Sequence, residues 1–388
     1  MFTALQNLKF SAAALVVGGM ALFAVGSALA ETSEKQRFEP VTIAKNLEHP
    51  WSLAFMPDGS YLVTERRGKL WRLTDDGLRA EVKGLPQVYH EGQGGLLEIR
   101  PEPNFKEGGW VYFSYAATAD DDDDIANTEV ARGRLSLSQN YLTDVEVIFK
   151  ANPKVEGGNH WGSRLVFGPD NTLYISLGER FDYKEEAQNP HNHLGTVIRI
   201  NPDGSVPADN PFADGKDGDP KVFTYGNRNV QGMALHPNGK DIWINEHGPK
   251  GGDEINILKA GANYGWPAVT FGISYWEMKI SNKTTDPAME DPILQWTPSI
   301  APSGMAFYTG DKYPEWKGNL FVGALAHRHL RRLELDGQKV THQEELLKGL
   351  DARIRDVSQG PDGYLYVLTD AGDGKLIRLE PQIEPQKR

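Results

Sequence analysis

The feature that most constrains the fold of this chain is a turn-and-strand pattern that occurs six times. Each copy contains a proline, a glycine or asparagine within the next five residues, and then a run of aliphatic and aromatic residues. Proline presets one backbone angle of a tight turn, and glycine or asparagine takes the position with positive φ. The copies lie 46 to 77 residues apart and begin at Pro57, Pro103, Pro169, Pro237, Pro314 and Pro361.

Four copies are followed by a second strand in which basic and aliphatic residues alternate, as in Lys69-Leu-Trp-Arg-Leu and Lys375-Leu-Ile-Arg-Leu. Such a repeat indicates an array of strand-rich units. The predicted fold class is all-β, a six-bladed β-propeller with long loops between the blades. Five or seven blades remain open, because weak repeats are easily miscounted. Short helical turns are expected at residues 185–187 and 343–348.

The first 30 residues differ from the rest of the chain. Lys9 precedes an apolar run from Phe10 to Val25, and the small residues Ala28 and Ala30 follow. This order is typical of a secretory signal peptide that is cleaved after export. The alternative is an uncleaved membrane anchor, but the run is short and interrupted by glycine. We therefore expect a signal peptide at 1–30 and a single propeller domain at 31–388.

Charge and cysteine content limit the partners of the exported domain. The chain has 41 basic and 53 acidic residues, a net charge of −12, and no cysteine. Disulfides and lipid attachment through cysteine are therefore excluded. A negative protein repels nucleic acid and anionic membrane, so neither is an expected partner, and no membrane association is expected after signal cleavage. The oligomeric state stays open.

Five residues near the predicted strands have side chains suited to catalysis or ligand binding. His160 is the candidate general base, because imidazole titrates near neutral pH. Glu179, one predicted strand later, could orient it. Arg228, Arg353 and Arg355 indicate a ligand with several negative charges. Taken singly, the histidine could instead be a structural hydrogen bonder, and each arginine could pair with an acid at a strand edge.

The stretch from Gly226 to Pro267 contains a glycine-rich loop, residues 246–252, followed by the adjacent acids Asp253 and Glu254. A loop of this composition exposes backbone carbonyl oxygens. Hard oxygen donors next to carboxylates suit calcium. The alternative is that the two acids only keep the loop soluble.

Taken together, five motifs resemble the soluble glucose/sorbosone dehydrogenases, quinoproteins that use pyrroloquinoline quinone (PQQ). The resemblance spans nearly the whole predicted propeller and is strongest to the bacterial periplasmic aldose sugar dehydrogenases. Any one motif is weak, but all five occur in the family's order. They are His160-Trp-Gly-Ser-Arg-Leu, Gly226-Asn-Arg-Asn-Val-Gln-Gly, Glu246-His-Gly-Pro-Lys-Gly-Gly-Asp-Glu-Ile-Asn, Asn263-Tyr-Gly-Trp-Pro and Arg353-Ile-Arg-Asp-Val.

The resemblance implies a periplasmic enzyme that oxidises aldoses at C1 to the lactone and passes electrons to an external acceptor. By matching position, His160 would remove the proton from the anomeric hydroxyl, and hydride would pass from C1 to the quinone. Glu179 would support the histidine. Arg228 would stabilise negative charge that develops on the quinone oxygen. The resemblance also implies a six-bladed propeller, in agreement with the repeat count.

The resemblance further implies residues that hold PQQ and calcium. The PQQ contacts would come from Gln93, Arg228, Asn229, Arg353 and Arg355. One calcium bound to PQQ would take the backbone carbonyls of Gly248 and Pro249, and a second, structural calcium would involve Glu254 and the carbonyl of Tyr264.

One position departs from the family pattern. Family members often have a lysine contacting PQQ after the strand that reads Phe-Val-Gly-Ala-Leu, whereas this chain has Ala326 there. Arg328 is the candidate replacement for that cation. Two alternative functions stay open: a calcium-dependent lactonase-type propeller, which needs a centre rich in carboxylates and Asn, and a propeller that binds a ligand without catalysis.

Overall fold

The computed structural model describes residues 31–382, so the predicted signal peptide at 1–30 lies outside the described residues. The described chain is built from 25 β-strands in six antiparallel sheets. Its helical content consists of three short 3-10 helices, Lys184–Gln188, Pro314–Trp316 and Lys348–Leu350. None of the helices among residues 31–382 has the length and hydropathy of a membrane span.

The first half of the chain forms two outer strands and then three blades. The outer strands are β1 (Glu31–Thr32) and β2 (Arg37–Leu47). Blade 1 contains β3 (Pro50–Phe55), β4 (Tyr61–Glu65), β5 (Lys69–Leu73) and β6 (Arg79–Val82). Blade 2 contains β7 (Leu96–Pro101), β8 (Trp110–Thr118), β9 (Ala126–Ser136) and β10 (Tyr141–Lys150). Blade 3 contains β11 (Leu165–Phe167), β12 (Leu173–Ser176), β13 (Val197–Ile200) and β14 (Val222–Thr224).

The second half forms the other three blades. Blade 4 contains β15 (Val230–Leu235), β16 (Ile242–Glu246), β17 (Asp253–Ile257) and β18 (Leu294–Trp296). Blade 5 contains β19 (Pro302–Phe307), β20 (Leu320–Ala324), β21 (His329–Asp336) and β22 (Lys339–Leu346). Blade 6 contains β23 (Ile354–Gln359), β24 (Leu365–Thr369) and β25 (Gly374–Pro381).

Blade 6 is completed by the other end of the described chain. Strand β2 pairs with β25, with Phe38 opposite Pro381, so the sheet order is β1-β2-β25-β24-β23. Phe38 is fully buried and contacts the ring of Trp316 in blade 5 at 5.4 Å. This pairing closes the ring of blades and covers an edge strand that would otherwise expose unpaired backbone groups.

The prediction of a six-bladed propeller is confirmed, and the six repeats mark the six blades. Each repeat proline lies in the turn between the first and second strands of its blade, as Pro57 does between β3 and β4. The repeat glycines Gly59 and Gly363 have φ values of 82° and 81°, which favour glycine. The helical turn expected at 185–187 is present. The one expected at 343–348 was wrong, because residues 343–346 pair with β21 as part of β22.

Apolar side chains fill the spaces between neighbouring blades. Leu62 and Val82 of blade 1, for example, lie in one buried cluster with Leu96 and Phe113 of blade 2. Packing at each of these seams buries a large apolar area away from water. This burial is the main favourable contribution to folding, and the chain has no disulfides to add to it. The first strands of the blades surround a central channel.

A buried arginine crosses the middle of that channel. Arg164 Nη1 lies 2.9 Å from a carboxylate oxygen of Glu98 and 2.9 Å from one of Asp356. Its Nε donates to the carbonyl of Gln231 at 2.8 Å, and its Nη2 donates to the carbonyl of Arg355 at 3.2 Å. This Arg164 crossbar joins blades 2, 3, 4 and 6. It separates an upper cavity of ≈ 440 Å³ from a lower one of ≈ 660 Å³.

Candidate active site

Two kinds of loop from the blades build the upper cavity. One kind precedes the first strand, and it supplies His49, Gln93 and Arg353. The other follows the second strand, and it supplies Arg66 and Asp370. Because the first and second strands are antiparallel, both kinds of loop emerge at the same end of the blade. This is why residues separated by hundreds of positions meet here.

His160 and Glu179 form a buried pair beside this cavity. His160 Nδ1 lies 2.5 Å from Glu179 Oε2, and the two residues are 4% and 0% exposed. The second Glu179 contact, from the backbone N–H of Phe181 at 2.9 Å, goes to the same oxygen. A carboxylate at Nδ1 favours the tautomer with the proton there, which leaves Nε2 free to accept a proton.

The pair is held by two tight turns with left-handed residues. His160 has a φ of 52°, and the consecutive residues Arg180 and Phe181 have φ values of 65° and 69°. Gly178 lies between the turns, and a Cβ at that position would be 2.1 Å from the carbonyl oxygen of His160. Such conformations cost free energy and cluster at functional sites. The strained turns bring the histidine and the glutamate into contact.

Burial and two neighbouring arginines lower the pKa of His160. Burial lowers the pKa of His160 below its ordinary value of 6.5, and the positive charges of Arg228 and Arg180 act in the same direction against the opposing Glu179. Burial alone would raise the pKa of Glu179. Its contact with His160 and the charge of Arg228 outweigh burial and hold the pKa below 4.5. A neutral imidazole paired with a carboxylate is the state a general base requires.

Arg228 lies between this pair and the glycine-rich loop. Its Nη1 donates to the carbonyl oxygens of Gly248 at 2.8 Å and His247 at 3.2 Å. Its Nε lies 4.0 Å from Glu179 Oε1. Arg228 Nε and Glu179 Oε1 are both buried, and neither has a hydrogen-bond partner among residues 31–382. Orphaned buried donors and acceptors are costly, so the arrangement is suited to a ligand that completes it.

Arg353 and Arg355 share one carboxylate at the cavity wall. Arg355 Nη2 lies 2.9 Å from Asp370 Oδ2, and Arg353 Nε lies 3.5 Å from the same oxygen. Arg66 also lines the cavity, and the Nε atoms of Arg66 and Arg355 are buried without a partner within the described chain. Three cations facing one aspartate leave a net positive wall. The cavity therefore fits a compact molecule with several carboxylates, which is the chemistry of PQQ.

The other predicted PQQ contacts differ in position. Gln93 lines the cavity, and its Oε1 accepts from the backbone N–H of His160 at 3.0 Å. Asn229 is buried next to Arg228, and its Oδ1 accepts from the backbone N–H of Gly162 at 3.1 Å. Arg328 instead makes an exposed ion pair with Asp351 at 2.9 Å and is not among the residues that line the upper cavity. Arg328 lies outside the upper cavity, but it lines a second pocket together with Arg353 and Asp370.

Three of the four predicted calcium residues, Gly248, Glu254 and Tyr264, line a small void next to Arg228. Strand pairing places Glu254 directly opposite Glu246, and Gly248 and Tyr264 complete the walls of a space of ≈ 10 Å³. Burial raises the pKa of Glu246 to about 7; burial and then the charge of Glu246 raise that of Glu254 to about 8. Two carboxylates facing each other repel unless a proton or cation lies between them. The void has the size of one ion or water.

Neighbouring residues of the loop have different roles. Gly248 accommodates no side chain, because a Cβ there would be 2.2 Å from the carbonyl oxygen of Gly251. Pro249 follows it and is buried. Asp253 points the opposite way from Glu254, as adjacent strand residues do. It accepts hydrogen bonds from the backbone of Gly248 at 2.8 Å and Ile300 at 2.7 Å, so it shapes the loop.

Several residues of the site have no signal in the sequence. Arg66 and Asp370 belong to otherwise ordinary strand ends, and only the ring of blades brings them to the cavity. Arg180 is fully buried, and its Cζ lies 3.4 Å from the ring centroid of Trp161. Phe181 contacts the ring of His160 at 5.1 Å. The available sequence signal for Arg180 and Phe181 was that they directly follow Glu179.

Comparison with known proteins identifies the family. The profile described as Glucose / Sorbosone dehydrogenase matches residues 47–378. The chain belongs to the glucose/sorbosone dehydrogenase family. The predicted family membership is thereby confirmed, and the relatives are named as dehydrogenases, which are oxidoreductases.

Similarity to individual members of the family extends over nearly the whole chain. Aldose sugar dehydrogenase YliI of Escherichia coli (strain K12) is 43% identical over 341 residues, which cover 87% of this chain and 91% of that protein. The apo-form crystal structure of the soluble E. coli aldose sugar dehydrogenase has a TM-score of 0.85 at 41% identity, covering 89% of this chain and 100% of the other. The PQQ-bound aldose sugar dehydrogenase of Streptomyces coelicolor has a TM-score of 0.73 at 28% identity, with coverages of 88% and 96%.

Proposed function

We propose that this protein is a PQQ- and calcium-dependent dehydrogenase that oxidises aldoses at C1 to the lactone and passes the electrons to an external acceptor. The observation that carries the proposal is the buried His160–Glu179 pair, whose neighbours Gln93 and Trp161 line a cavity with an arginine-rich wall. Membership of the family and the names of its relatives support the same reaction.

His160 acts as the base that accepts the proton of the anomeric hydroxyl at Nε2. Glu179 holds the ring by its contact with Nδ1 and stabilises the positive charge that the ring gains. The buried position excludes water, which strengthens this electrostatic effect. Bound PQQ would supply the two-electron acceptor for the hydrogen on C1, and its calcium would act as a Lewis acid.

Arg228, Arg353 and Arg355 would hold the negative groups of the cofactor. Arg228 Nε has no partner among residues 31–382 and is available for an oxygen whose charge increases during reduction. Arg353 and Arg355 provide donors for carboxylates at the opposite wall. Gln93, which lines the cavity, and Asn229 fix backbone groups of the His160 turn.

The oxygen donors for calcium are the carbonyls of Gly248 and Pro249 at the cofactor and, at the small void, Glu254 with the Tyr264 carbonyl. The Gly248 carbonyl accepts from Arg228 Nη1, and a carbonyl oxygen has a second lone pair for a metal. Glu246, directly opposite Glu254, adds a second carboxylate at the structural ion. We place the mature enzyme in the periplasm. Segment 1–30 would direct its export and then be cleaved.

Reconstitution tests the proposal. The exported protein, freed of metal and cofactor, should reduce an artificial dye with an aldose only when PQQ and Ca²⁺ are both added. PQQ binding that supports no oxidation of any aldose in a broad panel would rule out the substrate class. Failure to bind PQQ would show that Arg328 and the three cavity arginines do not compensate for Ala326, and it would leave a propeller that only binds another ligand.

The His160→Ala variant tests the assignment of the base. Turnover should fall by at least about 100-fold, because general-base catalysis typically contributes about 10²–10⁴-fold. PQQ affinity should change little, since the arginines remain. A rate close to that of the wild type would remove His160 from the mechanism.

A further inference from the structure

Arg180 is a fully buried cation next to the His160–Glu179 pair, and none of its nitrogens donates to a carboxylate. Its exposed fraction is 0%, and its Nη2 donates to the carbonyl of Gly157. The Nε and Nη1 atoms have no hydrogen-bond partner among residues 31–382. An isolated buried charge costs free energy, and an apolar side chain of similar size would be more stable in such a place. Folding alone therefore does not explain an arginine at this position.

The surrounding groups leave Arg180 positively charged. Burial lowers its pKa to about 10, and the nearby Tyr89, Tyr183, Glu179 and Glu91 oppose this effect only in part. At neutral pH the guanidinium group is still protonated. Arg180 is not among the residues that line the upper cavity, so a molecule bound there would not pair with it.

Arg180 contacts both ends of the segment that carries the base. We call this segment, residues 157–161, the base loop. At one end Arg180 donates to Gly157, and at the other its Cζ lies 3.4 Å from the ring centroid of Trp161, which lines the upper cavity. The loop begins with two glycines, and Gly157 has a φ of 99°. Glycine loses more conformational freedom on folding than any other residue, so a loop of this kind needs an anchor.

The backbone of Arg180 brings its side chain to the base loop. Its φ of 65° lies in the left-handed region, which is uncommon outside glycine and costs free energy. Arg180 directly follows Glu179. One strained turn therefore supplies both the carboxylate that contacts His160 and the cation that contacts the base loop on either side of it.

Titratable groups from three loops face the imidazole of His160. Glu179 and Arg180 come from the turn after β12, Arg228 precedes β15, and His247 follows β16. Besides burial, Arg228 and Arg180 oppose protonation of the ring, and Glu179 favours it. Burial lowers the pKa of His247 to about 3, so this residue is neutral and adds no charge. The charge of Arg228 is available to a bound anion, whereas Arg180 continues to act on the base.

We propose that Arg180 is a positioning residue for the base: it fixes the base loop so that His160 stays in contact with Glu179, and it keeps a permanent positive charge close to the imidazole. This inference rests on the proposed function, in which His160 is the base. Arg180 touches neither the sugar nor the cofactor. It acts through the loop and through its charge, so its loss affects the protonation of His160 as well as the rate.

The protonation of His160 provides a test that needs no substrate. Its ring NMR signals, assigned by their absence from His160→Ala, report the pH of half-protonation in the cofactor-free protein. In Arg180→Met this pH should rise, because the variant removes a positive charge that opposes protonation. Arg180→Lys keeps a positive charge over the acid range in which His160 titrates, so its value should stay close to that of the wild type.

Activity and stability provide two further readouts. In the reconstituted enzyme, Arg180→Met should lower kcat about 10- to 100-fold, because a misplaced base loses much of its rate advantage. Its urea midpoint should not fall, because the variant removes a buried charge without a partner. Arg132→Met is the matched control. Arg132 also stacks on a tryptophan, with Cζ 4.3 Å from the ring centroid of Trp110 in blade 2, and its loss should change neither kcat nor His160 protonation.

These readouts separate this inference from the proposed function. A raised half-protonation pH in Arg180→Met, in a protein that oxidises no aldose, would support the effect of Arg180 on His160 and reject the proposed function. If half-protonation is unchanged while the wild type oxidises aldoses, the proposed function stands and the role of Arg180 is overturned. A lower urea midpoint with unchanged half-protonation would overturn it as well and leave Arg180 as a packing residue.

Discussion

Two buried clusters of arginine and carboxylate lie close together in the channel, and they differ in how completely they are satisfied. The Arg164 crossbar directs its donors to Glu98, Asp356 and two backbone carbonyls. At Arg228, by contrast, Nε and the facing Glu179 Oε1 are 4.0 Å apart, and neither has a hydrogen-bond partner within residues 31–382. The first cluster is complete by itself and belongs to the scaffold. The second is left open, and a ligand is required to complete it.

The largest expected effect is on stability and concerns the crossbar. Arg164→Met leaves the buried carboxylates of Glu98 and Asp356 without their main counterion, and breaking such a pair typically costs about 3–5 kcal/mol. Urea unfolding of the metal-free protein measures this loss. The triple variant with Glu98→Gln and Asp356→Asn as well should recover part of it. A loss below about 1 kcal/mol would contradict the structural role of the crossbar.

The next effect is on catalysis and concerns the open cluster. Arg228→Met should lower kcat roughly 100- to 1,000-fold, as removal of one electrostatic stabiliser at a reacting oxygen does. Steady-state dye reduction measures it. Arg199→Met is the matched control: this buried arginine pairs with Asp170 and Asp209 away from the cavity, so its loss should reduce stability and leave kcat unchanged. Equal losses of kcat in both variants would argue that Arg228 is structural.

Calcium should stabilise the open region and have no effect on the crossbar. The raised pKa values of Glu246 and Glu254, about 7 and about 8, mean that the folded metal-free protein holds protons that the unfolded chain releases near pH 4.5. Stability from this pair is therefore present below pH 4.5 and is lost as the pH rises through 7 to 8. A calcium ion at this site would bind the deprotonated pair, so its affinity should increase over the same range.

Thermal unfolding with and without Ca²⁺ at pH 5.5 and 8.5 measures this effect. A calcium concentration about 100 times the Kd stabilises by about 2.7 kcal/mol. The gain should be larger at pH 8.5 and should shrink in Glu254→Gln, whereas Arg164→Met should retain it. A calcium effect that is independent of pH in the wild type would exclude the glutamate pair as its site.

The smallest effect concerns the pH dependence of the base. Because the pKa of His160 lies below 6.5, the acid limb of kcat/KM should have its midpoint below pH 6.5. Glu179→Gln removes the negative charge that opposes this shift. The midpoint should therefore move to lower pH, and kcat should fall about 10- to 100-fold from lost orientation. Glu185→Gln changes an exposed carboxylate nearby and should leave the profile unchanged; a midpoint above 6.5 would contradict the neutral histidine.

Much of the site was predictable because its residues lie in motifs with local structure. His160 and Glu179 flank one predicted strand. The glycines and proline after Glu246 predict a loop there. Arg353 and Arg355 are two positions apart at the start of a strand, so their side chains lie on the same face. Both contact Asp370. The role of Arg328 as the replacement cation stays a prediction. Its φ is 50° and its side chain pairs with Asp351, beside a pocket that Arg353 also lines.

The sequence by itself predicted six blades, which the structure confirms, and it singled out His160 and Glu179 as a candidate base and its partner, because tight turns and strand alternation depend on residues a few positions apart. Only the tertiary structure decided which distant groups meet. Arg66, Asp370 and the Arg164 crossbar are joined by closure of the ring, and Tyr275 reaches Phe181 across 94 positions of the chain. Those contacts depend on how blades pack against one another, and that packing leaves no periodic signal in the chain.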